Sequence, residues 1–159
     1  MLAIAVNNGG VAVAEINHRV GIAGTAGAIY AALTTDAGLS GWWTHDTRGA
    51  GDVGAIIHFR FNGGGPDFEV LELQPDKRVR WRYAGNEPDA WEGTEVVFEL
   101  EPADGQVFVR FCHGNWPKAT DFMAHCSTKW AVFLLSLKDL VETGKGRPFP
   151  DDIHIDHTE

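Results

Sequence analysis

From about Ala119 to Thr143 the apolar residues Phe122, Met123, Cys126, Trp130, Phe133, Leu134, Leu137, Leu140 and Val141 recur at steps of three and four, the pattern of one long amphipathic helix. Thr120 stands at its N-cap position, Gly144 just past its end and Pro148 beyond that, so both ends carry stop signals. At 1.5 Å per residue the helix runs about 36 Å. No strand signalled elsewhere is that long, so this helix has to lie across a whole sheet.

The sheet is announced upstream. In VAVAEINHRVGI, Val11–Ile22, alternation places Ile16, His18, Val20 and Ile22 on one face and Glu15, Asn17 and Arg19 on the other, which is a strand with one buried side. Thr25 caps a short helical run AGAIYAAL, and a second short helix covers about Asp36 to Trp43. Further strands are expected at Thr44–Arg48, Ala55–Phe61, Phe68–Leu73, Val79–Tyr83, Thr94–Leu100 and Val107–His113. The connections NGGGPD, QPDKR, AGNEPDAWEG and EPADGQ are rich in turn residues, so consecutive strands are antiparallel neighbours. The architecture is therefore α+β: a curved antiparallel sheet of about six to seven strands wrapped around the C-terminal helix, with two short helices after the first strand. Residues 1–159 read as one domain, with 1–10 and 145–159 irregular.

Thirteen Lys and Arg stand against 22 Asp and Glu, a net charge of −9, which argues against a surface that tracks phosphates and so against nucleic acid as a partner. RVRWRY resembles a basic and aromatic stripe, but Glu95, Glu99 and Glu101 on the neighbouring strand account for Arg78, Arg80 and Arg82 through cross-strand ion pairs. Two isolated cysteines, no secretory leader and no apolar run near 18 residues suggest a cytoplasmic protein that does not enter a membrane.

Beyond these patterns the chain resembles the START-like (SRPBCC) superfamily with its helix-grip fold, and more closely the branch related to the C-terminal domain of the activator of the 90-kDa heat-shock protein's ATPase. The resemblance is carried by INHRVGI, AGAIYAALTTDAGLSGWWT, VLELQPDKRVRWRY, GTEVVFEL, VRFCHGNW and CSTKWAVFLLSLKDLVETGKGRPFPDD, from about Val13 to Asp152. It implies a domain that holds an apolar or amphipathic small molecule between long helix and sheet. Some members, such as polyketide cyclases and aromatases, do chemistry there.

The inward faces bring Trp81, Tyr83, Phe98, Phe111 and His113 toward Met123, Cys126, Trp130 and Leu134 of the helix. Aromatic walls with a few polar groups form a ligand cavity as readily as a filled core. His18 shares the inward parity and joins them as a polar group. Trp81 and Trp130 are expected to face each other, with Trp42, Trp43, Trp91 and Trp116 at the rim. Small-molecule binding leads. An enzyme using His113 or Glu72 as general base, and a chaperone-interacting module, are the alternatives. No nucleophile motif and no cofactor motif stand out: Gly49, Gly51 and Gly54 spell G-x-G-x-x-G, but a strand follows where a helix is required. No metal site is expected, although DDIHIDH in the tail could bind metal adventitiously. Glu72 shares parity with Phe68 and Val70, and Arg60 with His58, so one ionisable group is expected on whichever face is buried. A homodimer is compatible with the chain.

Overall fold

The computed structural model describes residues 2–6 and 12–159. Its elements are β1 (Leu2–Val6), β2 (Ala12–Ile22), α1 (Ala26–Thr34), α2 (Asp36–Trp42), β3 (Asp46–Arg48), β4 (Ile56–Arg60), β5 (Pro66–Gln74), β6 (Arg78–Asn86), a 3-10 turn (Asp89–Trp91), β7 (Glu95–Ala103), β8 (Gln106–Trp116) and α3 (Asp121–Thr143). The strands form one antiparallel sheet in the order β1-β2-β8-β7-β6-β5-β4-β3. The strand beyond the expected six to seven is β1, which pairs with β2 where the sequence suggests irregular chain. No helix among the described residues is long and apolar enough to cross a membrane.

The helix ends follow their signals. Thr25 Oγ1 accepts from Ala28 N at 3.1 Å and Thr120 Oγ1 from Met123 N at 3.1 Å, satisfying amides that the first turn leaves without partners. At the other end of α3, Gly144 adopts φ 85° and donates to Leu140 O, a conformation that costs a residue without Cβ little.

Alternation divides the sheet cleanly. Val79, Trp81 and Tyr83 of β6, Val96, Phe98 and Leu100 of β7, and Val107, Val109, Phe111 and His113 of β8 are buried under the helices. The outer face is a ladder of charge in which each of the central strands carries mainly one sign. Arg78 pairs with Glu72 and Glu99, Arg80 with Glu72 and Glu95, Arg82 with Glu69, and Arg110 with Glu101. Glu72 would point inward by simple parity, but a register irregularity between Val70 and Glu72 shifts it to the outer face, as a bulge does. Arg60 lies outside too, with its Nη2 2.8 Å from Asp67, while Ile57 and Phe59 of the same strand point inward.

The tryptophans are arranged differently from the sequence expectation. Trp81 and Trp130 do not face each other directly, because Trp43 from the end of α2 stands between them. Its ring is parallel to Trp81 (3°) at 6.4 Å and 4.8 Å from Trp130. Trp42 is fully buried and donates from Nε1 to Ala32 O at 2.8 Å. The pair is core, and it fills much of the space between helix and sheet that a ligand would otherwise occupy.

The tail after Gly144 has no helix or strand but is closely held. Arg147 N donates to Ser136 Oγ at 2.7 Å, and Phe149 N to Trp43 O at 2.7 Å. Replacing a buried aromatic by alanine removes both apolar contact and packing volume. Trp43→Ala is accordingly expected to lower unfolding stability by about 3–5 kcal/mol in urea titrations, whereas Arg82→Ala, on the solvated ladder, should cost less than about 1 kcal/mol. Equal losses would mean that Trp43 does not hold the core together.

Candidate functional site

A cleft of about 890 Å³ opens at the sheet end where the β4–β5 turn, the segment after β6, the first half of α3 and the tail converge. Its apolar floor is Trp43, Trp91, Trp130 and Phe133, flanked by Phe61 and Phe149. Trp91 and Trp130 lie nearly parallel, 19° apart with centroids at 6.2 Å, and Phe61 meets Phe149 edge-on at 5.2 Å. The polar rim includes Asn62, Asn86, Glu87, Asp89, Lys129 and Asp152.

Local sequence explains each wall. In the β4–β5 turn Gly65 has φ 148°, and a Cβ there would meet Phe59 O at 2.1 Å; only glycine brings the turn this close. Asn86, itself at φ 78°, donates from Nδ2 to Gly65 O at 2.6 Å, tying the end of β6 to that turn. The 3-10 turn that follows delivers Trp91, whose backbone N donates to Pro88 O at 3.0 Å.

Beneath the floor runs a directed chain of hydrogen bonds. Thr94 Oγ1 donates to Trp91 O at 2.6 Å, so the 2.9 Å contact between His113 Nε2 and Thr94 Oγ1 requires the proton on Nε2. His113 Nδ1 is then free to accept from Trp130 Nε1 at 3.1 Å. The network fixes the neutral tautomer. His113 is 0% exposed, and burial pushes its pKa down to about 3, since a low-dielectric interior disfavours the imidazolium.

On the opposite wall, Lys129 Nζ contacts Asp152 Oδ2, Glu159 Oε1 at 2.6 Å and Ile153 O at 3.1 Å. Burial alone would lower the Lys129 pKa, but its hydrogen bonds to Asp152 and Glu159 outweigh this and raise it. Asp151 lies 3.5 Å from His45 and Asp156 3.3 Å from His125, and Asp152 is held by Lys129, so the three aspartates of DDIHIDH each face a different side chain. Among the described residues no group of three or more His, Cys, Asp and Glu is placed to hold a metal ion.

Of the ten ligand-binding residues expected from sequence, Cys126 and Trp130 border the cleft. The others do not: Trp81, Tyr83, Phe98, Phe111, Met123 and Leu134 are packed in the core, and His113 lies in the network beneath the floor. His18, half-buried on β2, donates from Nε2 to Ser127 O at 3.0 Å, a tether between β2 and α3. The physical reason is volume, because Trp42 and Trp43 occupy the centre and displace the open space to the end of the sheet. Burial pushes the Cys126 thiol up to about 12, which keeps it in its protonated form. Neither candidate general base lines the cleft: His113 is enclosed beneath the floor and Glu72 lies on the outer face. Sequence reasoning places Trp43 and Trp91 at the rim rather than among the ligand-binding residues, and it misses Phe61, Phe133, Phe149, Lys129 and the rim carboxylates. The available signal was aromatic residues beside Gly-, Asn- and Pro-rich turns, in FNGGGPD, NEPDAW and RPFPDD.

Residues 24–142 match the family model described as activator of Hsp90 ATPase homolog 1-like protein. A solved structure similar to this chain is the Aha1 dimer from Colwellia psychrerythraea, at 63% identity and TM-score 0.78, over 83% of this chain and 98% of that one. Protein MLL2253 from Mesorhizobium loti aligns at 20% identity and TM-score 0.71 over 79% of this chain and 95% of that one. CalU16 from Micromonospora echinospora aligns at 15% identity and TM-score 0.72 over 98% and 80%. The last two likenesses speak to the fold alone. A comparison with curated proteins finds no match.

The His113 network sets a pH dependence of stability. Its folded pKa, about 3, lies below the unfolded value of about 6.5, so the unfolded chain binds the extra proton between these limits. Its contribution is fully present above about pH 6.5 and falls by about 1.4 kcal/mol per unit as pH drops toward 3. His113→Phe should flatten unfolding free energy against pH by that slope between about pH 6 and 4, measured in urea; parallel profiles would refute it.

Proposed function

The chain belongs to the family of activator of Hsp90 ATPase homolog 1-like proteins, and from that premise we propose that it is a cytoplasmic binding protein for an apolar or aromatic small molecule. The observation that carries this is the cleft. Its volume of about 890 Å³ falls within the range of ligand pockets. Its floor joins the near-parallel indoles of Trp91 and Trp130 to Trp43 and Phe133, large apolar faces whose positions are set by the packing beneath them. Burying a flat hydrocarbon ring there gains both area and ring contact. The place differs from the sequence expectation in lying at the end of the sheet, but the class of ligand is the same. An enzymatic reading has less support, because neither proposed base reaches the cleft.

A neutral apolar fluorophore tests this. N-phenyl-naphthylamine should bind saturably with blue-shifted, brighter emission, and Trp91→Leu should weaken it about tenfold, the loss expected when a large aromatic contact is removed. Phe122→Ala, at a residue on the cleft's outer edge that is 40% exposed, should retain the fold and weaken binding by a smaller factor. Absence of saturable binding to the folded wild-type chain would defeat the proposal.

The 63%-identical Colwellia protein is described as a dimer, and we extend that state to this chain as a homodimer. Light scattering after size exclusion should then give twice the chain mass; a single chain mass at every concentration would exclude it.

A further inference from the structure

The charges around the cleft are unequal, and their inequality speaks to the ligand. Glu87 and Asp89 rise from one side, Asp152 and Glu159 from the other. Among the described residues that line the cleft, Lys129 is the one lysine or arginine, and its ammonium is held by Asp152, Glu159 and the Ile153 carbonyl. It is not available to a ligand anion. Glu87 and Asp89 make no ion pair among the described residues, although both are exposed on the rim. Asp152 is only 7% exposed, and its Oδ1 is buried with no hydrogen-bond partner among the described residues, so one strong acceptor beside the cleft is unsatisfied. The phenol of Tyr83, behind the same rim, is raised by burial and then by Asp89, Glu92, Asp67 and Glu87, which is the field these carboxylates create.

Resting on the binding reading above, we propose that the cleft selects ligands whose apolar or aromatic body carries a cationic nitrogen, and disfavours those that carry a carboxylate. The chemical class is an aromatic or alicyclic amine. Its ring lies on the indole floor, and its ammonium lies within the field of Glu87, Asp89 and Asp152. The faces of Trp91 and Trp130 attract the same charge through their ring quadrupoles, so the floor and the rim favour one sign together. An anion meets the carboxylates of Glu87 and Asp89, unpaired among the described residues, and a lysine already held by Asp152 and Glu159, with His125 facing Asp156 and His154 as the other ionisable groups of the lining, and a partly enclosed site screens that repulsion less than bulk water does.

Three ligands that share one ring system separate the effects: naphthylmethylamine, naphthylmethanol and naphthylacetate, titrated by calorimetry and by the indole N–H shifts of Trp91 and Trp130 at neutral pH. The amine is expected to bind at least about tenfold more tightly than the acetate at low salt, with the alcohol between, and the gap should narrow in about 0.5 M salt. The double variant E87Q/D89N, at two exposed positions, should bring the amine to within about threefold of the alcohol. Acetate binding as tightly as amine overturns the inference, as does an amine-to-alcohol ratio unaltered in E87Q/D89N. Either result leaves the binding reading standing if the alcohol still binds. Failure of all three to bind overturns both.

Discussion

The sequence of hydrogen bonds from Trp130 through His113 and Thr94 to the Trp91 carbonyl is the constraint on which the rest of the structure depends. It joins the long helix, a central strand and the turn before β7. Thr94 Oγ1 accepts from His113 Nε2 and donates to the Trp91 carbonyl, which also accepts from Thr94 N at 3.0 Å, so the chain has a single direction. A buried polar network satisfied in this way specifies one geometry, because any other leaves a desolvated group without a partner. The helix therefore sits on the sheet with a defined rotation, and Trp91 is delivered over Trp130 at a defined angle. The cleft inherits its floor from the core.

Around that network the aromatic residues divide into two sets. Trp42, Trp43, Trp81, Phe98 and Phe111 interlock in the interior through edge and parallel contacts, and they close the space that a curved sheet and a long helix would otherwise enclose. Phe61, Trp91, Phe133 and Phe149 are recruited to the end of the sheet. Trp43 and Trp130 line the cleft and also pack against the interior set, Trp43 on Trp81 and Trp130 on Phe111. A change at either alters stability and cleft shape together, whereas the exposed rim can be varied without disturbing the fold.

Much of this was legible in the sequence for a physical reason: period decides side. The spacing of Met123, Cys126, Trp130, Leu134 and Leu137 predicted which stripe of α3 is buried, and the alternation of RVRWRY predicted which residues form the outer ladder. The helix caps at Thr25, Thr120 and Gly144 were readable because their chemistry is local. What escaped was whatever depends on register or on distant segments meeting. Glu72 moved to the outer face because of an irregularity that no parity rule contains. Trp43 was assigned to the rim because it ends a short helix, yet its neighbours Trp81 and Trp130 lie 38 and 87 residues further on. The tail looked irregular and is so in secondary structure, but its carboxylates complete a wall through Lys129.

The ladder on the outer face has a further meaning for how the chain finds its topology. The outward charges are carboxylates on β7, guanidiniums on β6 and carboxylates on β5, with Arg60 and His58 on β4. Sliding two neighbouring strands by one pleat would still set opposite charges side by side, so these ion pairs do little to choose the register. Exchanging strands is another matter: β5 against β7 would oppose acid to acid, and β4 against β6 base to base. The exterior charges thus agree with the order of strands that the short connections set, while the shapes of the interior aromatics determine how each pair is aligned. Two kinds of information occupy the two faces of the same peptide segments, one residue apart.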